Sequence, residues 1–141
     1  NFTCTISNLF FSLMDLSIAA MQCKEAMNIP VTENENFYYF KDMLLKYMLK
    51  ELKNTTLLPM IESPHYHILK QYDENQNTDL CELFMHYLQN GRNVNQTSAA
   101  VFLHRNTVLN KVKKAISVMQ SGCEDYQEYL AFLLSYFADH E

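Results

Sequence analysis

A chain that turns often needs glycine and proline, yet this one has only two glycines (Gly91, Gly122) and three prolines (Pro30, Pro59, Pro64) in 141 residues. So little punctuation disfavours a many-turned sheet protein and favours long helices. At 48% hydrophobic content the chain can bury a real core, either as one ordinary domain or as a small domain with a helical extension. The longest apolar runs are broken by Asp15, Lys24, Lys46 or Asp139. They stop short of the ~18–20 residues a membrane span needs, so no membrane partner is expected.

Periodicity divides the chain into helices. Ser7 is a plausible cap for a first helix over residues 8–28, with Leu9, Leu13, Leu16, Ala20 and Met27 near one stripe. Residues 29–36, with Pro30 and a polar run, interrupt it, and the aromatic stretch Phe37 to Phe40 reads as a brief extended segment packing against helix one. Met43, Leu44, Tyr47, Met48 and Leu52 give a second amphipathic helix stopping near Asn54. One or two shorter helices follow over residues 57–72, with Pro64 in a first turn and Ile68, Leu69 and Tyr72 turned inward. Residues 73–77 read as a loop. Thr78 and Asp79 cap and charge a helix whose stripe is Leu80, Leu83, Phe84, Tyr87 and Leu88, ended by a left-handed Gly91. Tyr126, Tyr129, Leu130, Leu133, Leu134 and Phe137 mark a last helix that closes the core or pairs two chains. Met14, Met21, Met27, Met43, Met48 and Met60 read as core filling, and Phe40 and Tyr47 as core candidates.

Charge singles out one window. The protein is formally −5, but Leu83 to Cys123 carries five basic residues (Arg92, Arg105, Lys111, Lys113, Lys114) and no acidic one. The remainder sets six lysines against all sixteen carboxylates, so a polyanionic partner must be recruited by local contact and not by the long-range field. Within the window, residues 93–116 read as two short helices joined by a tight turn, a unit that commonly enters the major groove of double-stranded DNA. On a wheel for the second helix, Val112, Ala115 and Met119 fall within ~40° of Val108 and form the buried face. Asn106, Asn110 and Lys113 turn outward, with Thr107 and Lys114 on one flank and Arg105 and Leu109 on the other.

Those side chains suit DNA. Arg105, Asn106, Thr107 and Asn110 form a base-reading set, since arginine pairs with guanine, asparagine with adenine, and threonine serves a phosphate or a thymine methyl. Lys111, Lys113 and Lys114 hold phosphates, which supplies affinity without sequence choice. Asn95, Gln96 and Thr97 open the supporting helix and offer free amides and short polar side chains to a phosphate. His104 starts the second helix, where it either touches a phosphate or caps the turn.

The stretch from Tyr72 to Ile116 resembles the C-terminal helix-turn-helix of the PucR/CdaR transcription regulators, with N-V-x-x-T at Asn93 to Thr97 and H-R-N-T at His104 to Thr107. It is also similar to the helix-turn-helix of the factor for inversion stimulation at Arg105, Thr107, Lys111, Lys113 and Lys114. The resemblance implies that Arg105, Asn106 and Thr107 lie at DNA. Upstream, helix one and Tyr38 to Leu49 look like the tail of the cyclase-like domain that precedes this module in many members. Three positions depart from the family: Leu109 and Lys111 stand where arginine is usual, and Ser98 where alanine is. Phe102 takes a turn position that holds glycine in many helix-turn-helix units, where a left-handed backbone would be strained.

The expected architecture is therefore all-α, a helical bundle containing a helix-turn-helix, with room for one short β segment near 36–40. Residues 1–55 are expected to be a helical remnant of a preceding regulatory domain, and 56–141 the DNA-binding domain. The chain starts without methionine and reads as part of a longer bacterial regulator, whose small-molecule effector is sensed by an upstream domain. It is expected to act in the cytoplasm as a homodimer. The competing reading is a dimerisation or ligand-relay module without DNA binding of its own. No nucleophilic triad, phosphate-binding glycine loop or carboxylate pair supports an enzyme, and no cofactor is expected. His65 and His67 lack a third ligand, so no metal is expected either. Cys4, Cys23, Cys81 and Cys123 are widely spaced with no C-x-x-C pair and read as reduced hydrophobes.

Overall fold

A computed structural model of the protein describes residues 3–28 and 36–140; the expected interruption at residues 29–36 lies outside them except for Asn36. Eight α-helices and one two-stranded parallel sheet account for most of the described residues, which confirms the all-α class. They form two compact units, Asn1–Thr56 and Leu57–Glu141.

In the first unit, β1 (Cys4–Ile6) pairs in parallel with β2 (Phe37–Tyr39), Thr5 lying opposite Tyr38. The short segment near 36–40 was anticipated, but its partner strand was not. Helix α1 spans Leu16–Asn28 and is preceded by a 3₁₀ turn at Leu13–Asp15. Ser12, and not Ser7, supplies the cap by accepting from the Met14 amide at 3.2 Å. The buried face of α1 is also not the expected one: Leu9, Leu13, Leu16 and Met27 are exposed, while Ala19 and Ala26 are buried. Small side chains let α1 approach its neighbours closely, and the bulky stripe is left in solvent. Ala26, Phe40 and Met43 form the buried cluster, with Tyr38 and Tyr47 packed on it and the Phe40 and Tyr47 rings 5.6 Å apart. A second 3₁₀ turn at Phe40–Met43 leads into α2 (Leu44–Lys53), which buries Leu49 and leaves Leu44 and Met48 exposed. Of the methionines read as core filling, only Met43 is buried. Met14, Met21, Met27, Met48 and Met60 are exposed.

The second unit comprises α3 (Leu58–Ile61), α4 (Pro64–Gln76), α5 (Leu80–Gln89), α6 (Val94–Ala100), α7 (Arg105–Met119) and α8 (Tyr126–His140). Pro64 occupies the first turn of α4, where its missing amide is harmless, and Ser63 caps it by accepting from the Tyr66 amide at 3.3 Å. Helix α4 runs through residues 73–76, which had read as a loop, and stops at Asn77 in the left-handed conformation. Asp73 explains the difference. Its two carboxylate oxygens accept from the Leu80 and Cys81 amides at 2.9 and 2.7 Å, so a residue of α4 caps α5 in place of Thr78 and Asp79. Thr78 itself donates to Asp73.

The core gathers Leu69 and Tyr66 from α4, Leu83, Phe84 and Leu88 from α5, Val108, Val112, Ala115 and Met119 from α7, and Phe132 from α8. Phe84 meets Phe132 edge-to-face at 5.3 Å, and Tyr66 meets Phe132 at 5.6 Å, geometries that aromatic quadrupoles favour. Ile68, expected inward, is exposed. Helix α8 also presents a rotated face: Phe132 and Ser135 are buried, whereas Tyr126 and Leu130 are exposed. The rotation satisfies polar atoms. The Ser135 hydroxyl accepts from the Ser63 amide at 2.7 Å and donates to the Ala131 carbonyl, and Asp139 accepts from both Tyr66 and Lys70. Lys70 first, then Tyr66, holds the Asp139 carboxyl below its ordinary range.

Candidate nucleic-acid interface

Helices α5, α6 and α7 build the site. Gly91 and Arg92 both take positive φ and turn the chain from α5 into α6. Arg92 is drawn away from any polyanion: its guanidinium donates to the Cys123 carbonyl and lies 5.8 Å from the Tyr129 ring centroid. Asn93 caps α6, its side-chain oxygen accepting from the Asn95 and Gln96 amides at 3.0 and 3.2 Å. Sequence reasoning missed this role, although an asparagine just before a helix is a strong cap signal. The amides expected to be free for a phosphate are thus engaged. Thr97 is fully buried and donates its hydroxyl to the Asn93 carbonyl at 2.8 Å, so its side chain anchors α6 and does not face a phosphate. Asn95 and Gln96 remain exposed.

Residues 101–104 form the turn. Phe102 has φ +54° and is 94% exposed, the left-handed position that favours glycine. Hydrogen bonds from the Val101 amide to the Thr97 carbonyl and from the Leu103 amide to the Ser98 carbonyl hold it there. His104 caps α7, its Nδ1 accepting from the Asn106 amide at 3.2 Å. The capping alternative for this residue is therefore realised, and its ring stays exposed.

Along α7 the expected division of faces is present. Val108, Val112, Ala115 and Met119 are buried, and Arg105, Asn106, Thr107, Asn110, Lys113 and Lys114 are exposed. The valines lock the helix onto α5, which fixes which side chains point outward. Arg105 Nε donates to the Asn95 side chain at 2.9 Å, joining the starts of α7 and α6. Lys114 Nζ stands 5.2 Å from the Tyr72 ring centroid, and Lys111 is paired with Asp79. Lys113 has no hydrogen-bond or ion-pair partner among the described residues. A groove of about 600 Å³ runs between α7 and the α4–α5 corner, lined by Asn110, Lys111 and Lys114 on one side and Tyr72 and Asp79 on the other. The Lys111–Asp79 contact joins residues 32 apart and no local pattern announces it.

Two short helices at a tight turn, the second packed by its valines on a supporting helix and exposing a polar, basic face, constitute a helix-turn-helix. Residues 80–137 match the family model of the PucR C-terminal helix-turn-helix domain. This stretch is thus similar to a PucR-type helix-turn-helix region, and the match covers less than half of the chain. No curated protein matches the chain, and no solved structure does. Among the described residues no helix is long and apolar enough to cross a membrane.

Proposed function

We propose that the chain is a sequence-specific DNA-binding transcription regulator that lays α7 in a major groove. The observation carrying this reading is the exposed face of α7, where Arg105, Asn106, Thr107 and Asn110 stand clear of a valine-anchored back. These four read base edges. Asn95, Gln96, His104, Lys111, Lys113 and Lys114 hold the phosphates that set orientation and register. One such unit covers few base pairs, so the working form is a homodimer on an inverted repeat, with recognition helices about 34 Å apart. A small-molecule effector acts through a separate domain, and the protein works in the cytoplasm. No chemical step is assigned to it.

Selection of random duplexes by the protein at two salt concentrations tests the reading. Enrichment of an inverted motif is the expected result; a stable dimer that enriches nothing would instead fit a relay module. With a site in hand, Arg105→Ala should relax base discrimination by about 1–3 kcal/mol, whereas Lys113→Ala should weaken all sequences alike. Equal losses on specific and random duplexes for Arg105→Ala would remove that residue from the base-reading set.

A further inference from the structure

Asp79 occupies the N-cap position of α5 yet makes no capping hydrogen bond. The first two amides of α5, those of Leu80 and Cys81, are already satisfied by Asp73, and the second of them is one a cap would take. Released from that duty, the Asp79 carboxylate accepts from Lys111 Nζ. Asp79 is the sole acidic residue lining the groove it shares with Asn110, Lys111 and Lys114. Lys114 has only an aromatic ring beside it and Arg105 only a neutral amide, so Lys111 is the basic residue of α7 that an acid holds.

We propose that Asp79 is a built-in competitor for the phosphate that Lys111 would bind, and that it holds down the sequence-independent part of the affinity for DNA. The inference rests on the DNA-binding reading and adds a residue to it that opposes binding. The Asp79 side chain is 57% exposed and that of Lys111 31%. A pair this open to water is weak, so a phosphate displaces it instead of being locked out. The displaced carboxylate then stays within a Debye length of the incoming backbone and repels it. Neither effect depends on base sequence. Both therefore lower the affinity for every duplex by the same factor, and a random duplex, for which phosphate contacts supply nearly all the affinity, has nothing to set against them. Only a duplex that also forms base-edge bonds with α7 recovers the loss.

Asp79→Asn tests this in the full chain. The Asp79 side chain caps nothing and its ion pair is open to water, so the thermal melt should hardly move. Binding to a random-sequence duplex, read by fluorescence anisotropy, should tighten ~3–10-fold at 50 mM salt, with the log K against log salt slope steeper by about one. The gain should shrink clearly in a Lys111→Ala background, where only the carboxylate's repulsion of the backbone is left to relieve. An Asp79→Asn chain that binds no tighter, or an equal gain without Lys111, overturns the proposal. Elution from heparin gives a readout free of the DNA reading. A later elution of Asp79→Asn with no duplex binding by either chain would sink DNA recognition and keep the competition, whereas an unshifted elution would sink the competition itself.

Discussion

In the unit Asn1–Thr56, Leu9, Phe11, Leu13 and Met14 stand in solvent while the buried cluster is Ala26, Phe40 and Met43. In Leu57–Glu141, thirteen residues drawn mainly from α4, α5, α7 and α8 share one core. The second unit also ties its helices together through polar atoms. Asp73 joins α4 to α5, Ser135 joins α8 to the start of α4, and Asp139 joins α8 to Tyr66 and Lys70. Apolar content alone thus does not make a core; it must recur on faces that neighbouring helices can cover, and buried polar atoms must find partners there.

The contrast is tested hardest at Phe84, which is fully buried against Phe132. Phe84→Ala should destabilise the second unit by about 3–5 kcal/mol in chemical denaturation, and a smaller loss than 2 would mean that the unit collapses around the void. Asp73→Ala leaves the first amides of α5 unpaired and should cost about 1–2 kcal/mol, whereas Asp79→Ala should cost less because its side chain caps nothing. Asp139→Asn should cost about 1 kcal/mol near neutral pH. The folded carboxyl titrates below its ordinary 3.8, so its stabilisation is complete above that value and is lost as pH falls through the folded one. The wild-type and Asp139→Asn melting curves should therefore converge in acid, and a gap constant with pH would show that the charge is not what matters. At the small end, Phe11→Ser replaces a side chain that is 98% exposed and should shift stability by no more than about 0.5 kcal/mol; a large loss would show that the first unit depends on its exposed apolar face.

How much of this the sequence disclosed differs by region for physical reasons. The α7 wheel was legible because Val108, Val112, Ala115 and Met119 are large or close-packed at helical spacing, and the N-V-x-x-T and H-R-N-T patterns fixed the turn. Helix α1 misled because its buried residues are alanines, whose small areas are outvoted by Leu13, Leu16 and Met27 on any periodicity count. Helix α8 misled because leucines and aromatic residues together cover so much of it that two faces look equally apolar; Phe132 and the hydroxyl of Ser135 decide between them. Asp73 took the capping role expected of Thr78 and Asp79 because capping was judged along the chain, while the carboxylate that serves α5 arrives from α4. Around the candidate site, Thr97 and Arg92 had the right chemistry for a phosphate and the wrong surroundings: one is sealed inside, the other is drawn to the α7–α8 connection.

The bond between the Ser135 hydroxyl and the Ser63 amide has an effect on motion as well as on stability. Apolar surfaces slide past one another at modest expense, but a lone donor inside a dry interface accepts only one placement of its acceptor. Shifting α8 along its axis by a single turn, about 5.4 Å, would strand that amide and pull Phe132 from between its aromatic neighbours. Helix α8 thus behaves as a keyed bolt, seated or withdrawn with no stable position between, and its seating holds α4 at a set depth in the unit.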